Sequence, residues 1–269
     1  MAESSLSSET IVQYDDSIKF IKSCADEFQW KDLSEDVVMD IGCGHELNCC
    51  KAIVMQFPEV KELIAVDKES TVFETARFRN RIEFCVGDIQ ERDSLKSYEG
   101  KMDKIISAHT FHHIIDKETA FRNVYRLLKP GGEAGFFFCV NSCMHKFLTV
   151  LSEIPQYEAI LKDTFLLKLH TPEHGEQYYK ELLEKIGFKH VRAFEEERLP
   201  FSSDSSFKDF LEDLDIDPKL SPETTETMKA EALELYEKKF GRLEGKLRYV
   251  YVQLNLLGVK PMESSDSKS

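Results

Sequence analysis

No stretch of the sequence holds the ~18 consecutive apolar residues that a membrane-spanning helix needs. The first ten residues, MAESSLSSET, carry no apolar core, so no secretory leader is expected. Basic residues are outnumbered: 35 Lys and Arg against 49 Asp and Glu leave a net charge of −14. A chain so balanced lacks the basic face of a nucleic-acid binder and is poorly suited to an anionic membrane surface. The 7 cysteines are odd in number, and most fall inside expected strands or helices, which reads as reduced thiols in a cytoplasmic protein. Neither Cys49-Cys50 nor Cys139 with Cys143 has a second pair at zinc spacing. His109, His112 and His113 have no acid at ligand spacing, so no metal is expected. No internal repeat is present. What remains is a chain of 269 residues, 42% hydrophobic, enough for one α/β domain with insertions.

The organising stretch is Val37-Val38-Met39-Asp40-Ile41-Gly42-Cys43-Gly44-His45-Glu46. An apolar run ends in a two-glycine turn and passes into a helical segment. This is the form of a nucleoside- or phosphate-binding entry in an open α/β sheet, and also of an ordinary strand–helix turn. Further strands are expected at 63–67, 82–86, 104–108 and 135–140, with helices over 47–57, 69–78 and 117–128 between them. Lys129-Pro130-Gly131-Gly132 reads as a sharp turn. Five alternations of strand and helix predict a parallel, doubly wound sheet. Beyond it, helices are expected over 11–29, 143–168, 173–186, 205–214 and 222–241, and strands over 188–198 and 247–257. Gly187 and Ser221-Pro222 supply end signals.

Asp67 closes the second strand, 23 positions after Gly44. A carboxylate there suits the paired hydroxyls of a ribose, since it offers two acceptor oxygens. It equally suits a cap for the next helix. Asp88, after the third strand, can accept from an exocyclic amino group while Ile89 covers a ring. The simpler reading of Asp88 is an N-cap.

Taken together, Asp40-Ile41-Gly42-Cys43-Gly44, Asp67, Gly87-Asp88-Ile89 and Leu127-Leu128-Lys129-Pro130-Gly131-Gly132 resemble the class I S-adenosylmethionine-dependent methyltransferases, over about residues 35–140. Within that superfamily, three segments resemble the arthropod juvenile hormone acid methyltransferases: Val12-Gln13-Tyr14-Asp15-Asp16-Ser17, Phe111-His112-His113, and the run from Leu199 to Leu211. The resemblance implies a Rossmann-like α/β fold: a doubly wound, mostly parallel seven-stranded sheet with a helical cap. The implied organisation is an N-terminal helical lid over 1–35 and a cofactor-binding half over 36–142. A helical cap insertion over 143–170 follows, then a C-terminal half over 171–260 with an antiparallel last strand, and a loose tail over 261–269. The implied cofactor is S-adenosyl-L-methionine, held by Asp40, Gly42, Gly44, Asp67, Lys68, Asp88, Ile89 and Ser107.

The implied reaction is methyl transfer to the carboxylate of an apolar, farnesoid or fatty acid by a monomer or homodimer acting on a small molecule. A carboxylate needs positioning and desolvation more than a strong base. Gln13 and His112 or His113 are therefore the expected catalytic donors, and Phe147, Leu148, Tyr157, Phe165 and Leu166 the expected cover for an apolar tail. Simpler roles stay open: a surface position for Gln13, a helix cap for the histidines, a core stripe for the aromatics. Glu46 stands where the family has its third glycine, and His113 where the hormone enzymes have an aromatic residue. An amine or hydroxyl acceptor, or cofactor binding without transfer, stay open as alternatives. A nicotinamide-dependent oxidoreductase is disfavoured by the glycine spacing and the Lys-Pro-Gly-Gly turn.

Overall fold

Apolar runs that must be covered on both faces become the central strands of the computed structural model. The structure describes residues 8–74, 81–155, 157, 158, 174–199, 203–205 and 221–262. In chain order the main elements are α1 (Ser8–Phe28), β1 (Val37–Ile41), α2 (Asn48–Gln56), β2 (Glu62–Asp67), β3 (Glu83–Val86), β4 (Met102–Ala108), α3 (Lys117–Leu127) and β5 (Leu128–Asn141). They continue with α4 (Cys143–Ser152), α5 (Glu176–Ile186), β6 (Lys189–Arg198), α6 (Pro222–Phe240), β7 (Arg242–Leu243), β8 (Lys246–Leu247) and β9 (Tyr251–Val259).

Seven strands form one sheet in the order β3-β2-β1-β4-β5-β9-β6. The pairs β1–β2, β1–β4, β2–β3 and β4–β5 are parallel. β9 runs against β5: Gly131 and Gly132 exchange backbone hydrogen bonds of 2.8 Å with Lys260, while Gly135 lies against Leu257. Partner numbers fall along β9 as they rise along β5, which is the antiparallel sense. The chain order reverses at the β1/β4 boundary, and the crevice beyond the strand ends there is where an open α/β sheet receives ligands.

Alternation along β5 illustrates the two covered faces. Phe137 stacks on Phe20 of α1 at 5.7 Å between ring centroids. Its neighbours Phe136 and Phe138 point the other way, into a cluster with Phe111, with Phe121 of α3 and with Tyr179 of α5. α1 is seated on the first face through Phe20, Ile21 and Cys24, all buried. A side chain at Gly135 would collide with the Cys24 thiol, so the helix approaches the sheet as closely as a glycine permits.

The described residues fall into two compact units, one built up to Phe138 with Glu176–Phe194 and from Leu254 onward, the other from Cys139–Gly175 and Glu195–Gln253. The second has its own core, in which Phe147, Leu148 and Tyr157 are buried with Met228, Ala232 and Tyr236 of α6. Ser221 caps α6 by accepting from the Thr224 N–H at 3.2 Å, with Pro222 at the first helical position.

Three boundaries differ from the sequence expectation. The Lys129–Gly132 segment is the beginning of β5 rather than a turn outside it, because Lys260 supplies its backbone partners. Glu244 and Gly245 both have positive φ, the condition for a two-residue hairpin, so Leu247 pairs back with Arg242 and the last strand starts only at Tyr251. After β2 the chain makes a short 3₁₀ turn over Ser70–Phe73. Residues 75–78 of the expected helix 69–78, 206–214 of the expected helix 205–214, and Phe165 and Leu166 lie outside the described residues. No helix among the described residues is long and apolar enough to cross a membrane.

Phe121 is fully buried between β5, α5 and Phe111. Phe121→Ala is expected to lower stability by about 3–5 kcal/mol, read as a shift of the urea midpoint at unchanged slope.

Candidate functional site

The turn after β1 is built from residues in left-handed backbone conformation. Gly42 and Gly44 have φ of 69° and 59°, and Leu47, at the entry to α2, has φ of 52°. The two glycines are needed for different reasons. A Cβ on Gly42 would lie 2.2 Å from the Thr110 methyl, so nothing larger fits there. Thr110 also donates its hydroxyl to the Gly42 carbonyl at 2.9 Å, which ties the turn after β1 to the segment after β4. A Cβ on Gly44 would meet nothing within 4 Å, and the space it faces is open.

That space belongs to a cleft of about 530 Å³, open to solvent, at the β1/β4 boundary. It is lined by Gln13 and Ser17 of α1, by Asp40, Gly42, Gly44 and Glu46 around the turn, and by His109 after β4. Asp67 stands beside it at the end of β2. Its Oδ2 accepts from the Gly44 N–H and its Oδ1 from the Glu69 N–H, both at 3.1 Å. A carboxylate has about four acceptor positions, so each oxygen keeps a lone pair for a ligand hydroxyl.

Asp40 lies under the cleft, 1% exposed. The Cys50 thiol donates to its Oδ2 at 3.1 Å. Burial raises its pKa to about 7, against the lowering effect of the Cys50 bond and with a smaller push from Asp67. Burial also raises the thiols of Cys43, Cys49 and Cys50, and Asp40 adds to this, so none of them is an activated nucleophile. All seven cysteines carry free thiols. Glu46, in the lining, faces Lys51 at 3.3 Å and His45 at 3.6 Å.

The other candidates are not among the residues lining the cleft. Lys68 follows Asp67 at the surface. Asp88 is half-buried and its Oδ1 accepts from the Gln90 N–H at 2.8 Å, a local turn. Ile89 is buried, and its carbonyl accepts from the Asn123 amide at 2.7 Å. Ser107 is buried and donates to the Ile41 carbonyl at 2.7 Å, joining β4 to β1. His112 and His113 ride on a 3₁₀ turn past the cleft wall, with ring centroids 4.0 Å apart. Desolvation, then the charges of Lys117 and Lys68, hold His113 below the ordinary imidazole range. Desolvation also lowers Lys117, to about 8. Gln13 borders the cleft, whereas neither His112 nor His113 is among its lining residues.

Ser17, Asn48, Cys49 and His109 also line the cleft, and sequence reasoning assigns them no cofactor or acceptor role, Cys49 and His109 being weighed there only as metal ligands. For His109 a signal existed: it follows β4 directly, at the strand end beside the reversal point. Among the described residues no group of three or more His, Cys, Asp or Glu could hold a metal ion.

A family model described as a methyltransferase domain matches residues 32–190, which contain the turn, Asp67 and His109. The chain belongs to this methyltransferase-domain family. It is similar to the juvenile hormone acid O-methyltransferase of Bombyx mori, 26% identical over 68% of this chain and 66% of that protein. The same enzyme from Drosophila melanogaster is 24% identical over 66% of this chain and 62% of its own length. The chain thus spans less than two thirds of the length of these curated relatives. Among solved structures it resembles phosphoethanolamine N-methyltransferase 2 of Haemonchus contortus, in complex with phosphomonomethylethanolamine and S-adenosylhomocysteine. The TM-score is 0.53 at 17% identity, covering 92% of this chain and 53% of that one, a likeness of fold alone.

The buried acid of this methyltransferase domain has a signature in stability. Between its ordinary pKa of 3.8 and about 7, Asp40 holds a proton in the folded state that the unfolded state lacks. Stability should therefore fall as pH rises through that window, by at most about 1.4 kcal/mol per pH unit from this group. In Asp40→Asn that component of the slope should vanish, as read from urea unfolding at a series of pH values.

Proposed function

We propose that this chain is an S-adenosylmethionine-dependent methyltransferase that O-methylates an apolar carboxylic acid of the farnesoid or fatty type. The observation that carries the reading is the cleft itself. An open glycine turn, a carboxylate with spare acceptor positions at the end of β2, and polar side chains of α1 meet where the strand order reverses. Membership of the methyltransferase-domain family supports the reaction class. The printed names of the Bombyx and Drosophila relatives support the acceptor class.

The residues present fit the cofactor. Gly44 offers backbone approach without a Cβ, Asp67 accepts from the ribose hydroxyls, and the carboxylates of Glu46 and Asp67 suit a ligand bearing an ammonium and a sulfonium. Glu46 replaces a glycine of the family pattern, and Lys51 beside it offsets its charge. When bound, S-adenosylmethionine supplies an electrophilic methyl group. The protein orients the acceptor carboxylate, removes its water and holds it in line. Gln13, on the α1 side of the cleft, donates its amide N–H to one acceptor oxygen. Asp88, Ile89 and Lys68 flank the nucleoside end. Ser107 acts through the strand it anchors.

Calorimetric titration with S-adenosylhomocysteine should give micromolar binding, and absence of heat would refute the reading. Asp67→Ala should weaken that binding more than about tenfold, since charge-assisted hydrogen bonds are worth roughly 1.5–3 kcal/mol. Unchanged affinity would remove Asp67 from the ribose site. Gln13→Ala should leave the affinity unchanged and lower turnover of radiolabelled methyl groups onto a farnesoid acid. Equal turnover would take Gln13 out of the acceptor site.

A further inference from the structure

Where the family pattern has its third glycine, this chain has a carboxylate, Glu46. Two acids are among the residues that line the cleft, Asp40 and Glu46. Asp40 is 1% exposed and takes the Cys50 thiol as a hydrogen-bond donor, and burial raises its pKa to about 7. Glu46 is open to water, its side chain 34% exposed. Gly44, two positions earlier, puts no side chain into the cleft. A cation that enters therefore meets Glu46 as the negative charge of the lining.

Glu46 already holds an ammonium. Nζ of Lys51, on α2, lies 3.3 Å from its Oε2. Lys51 is not among the lining residues, so the pair reaches the cleft through Glu46 alone. The Lys51 side chain is 29% exposed, and a pair this open to water is weakly held. Its flexible stem lets the lysine turn to solvent without strain. The α-ammonium of an amino acid offers the same charge and the same kind of N–H donors as Nζ. Two ammonium groups on one carboxylate repel each other, so they exchange rather than share.

We propose that Glu46 is the receptor for the α-ammonium on the methionine part of the cofactor, and that Lys51 is the placeholder which this ammonium displaces. The proposal rests on the cofactor reading above and holds whatever the acceptor is. The ligand's ammonium and carboxylate sit on one carbon. Glu46 attracts the first and repels the second, so it orients that end of the ligand with the ammonium toward itself and the carboxylate turned away. No covalent bond changes: one ion pair is exchanged for another, and Lys51 moves to water. A glutamate at this position thus gives the site a preference for a nucleoside that carries an amino-acid end over the same nucleoside without one.

The test titrates wild type, Glu46→Gln and Lys51→Met calorimetrically with two ligands. One is S-adenosylhomocysteine, which has the ammonium but no sulfonium. The other is methylthioadenosine, which keeps the nucleoside and the thioether and lacks the amino-acid end. Glu46→Gln should weaken S-adenosylhomocysteine binding about tenfold and Lys51→Met should tighten it about threefold, while methylthioadenosine stays within about twofold of wild type in both. Methylthioadenosine also reports that each variant keeps a folded site. Unchanged S-adenosylhomocysteine affinity in Glu46→Gln would overturn the receptor, and so would tighter binding, the mark of a carboxylate that repels the ligand's own. An equal loss of both ligands would overturn it too, because Glu46 would then be supporting the turn. Unchanged or weaker S-adenosylhomocysteine binding in Lys51→Met would overturn the exchange. Failure of the wild type to bind S-adenosylhomocysteine would overturn the cofactor reading itself and the receptor with it.

Discussion

The contact between Thr110 and Gly42 is the constraint on which the site depends. The threonine methyl occupies the place where any Cβ on Gly42 would have to go, and its hydroxyl bonds the Gly42 carbonyl. One side chain therefore dictates the residue type of the first turn and fastens it to the segment after β4. The two loops at the point of strand reversal are joined there. His109, directly before Thr110, and Gly44, two residues after Gly42, take their positions from it. The cleft is the gap this joint leaves open.

Electrostatics shape what the gap can hold. A buried carboxylate without a full counter-charge is costly, and Asp40 meets that cost by keeping a proton well above the usual carboxylate range. The Cys50 thiol, too poor an acid to ionise there, donates to it. Asp67 takes the other solution: it stays near solvent and spends one acceptor position per oxygen on backbone N–H groups. The two acids thus differ in burial more than in sequence context. The Asp16–His109 pair adds a third arrangement, in which a base from the β4 end faces an acid from α1.

The strands were readable because their residues must satisfy two faces at once. Val38 and Ile106 belong to the core under α1, while Phe136 and Phe138 belong to the core under α3 and α5. Such runs have few readings other than a covered strand. α1 was readable from its period, and α6 from Ser221-Pro222. The beginning of β5 was not readable, because a Lys-Pro-Gly-Gly segment is a turn by local preference and becomes strand only through its bonds to Lys260. The late start of β9 was hidden for a similar reason, since Leu247 finds its partner across the Glu244-Gly245 turn.

Sequence alone determined the sheet, the glycine turn, the acid at the end of β2 and the family resemblance, because each is a local pattern with a local physical cause. Which histidine stands in the cleft was decided by tertiary structure. His109, His112 and His113 lie within five positions and are chemically the same. A left-handed residue and then a 3₁₀ turn send the first to the cleft wall and carry the other two past it. Its partner Asp16 lies 93 positions earlier in the chain, so only the packing of α1 on the sheet brings acid and base together.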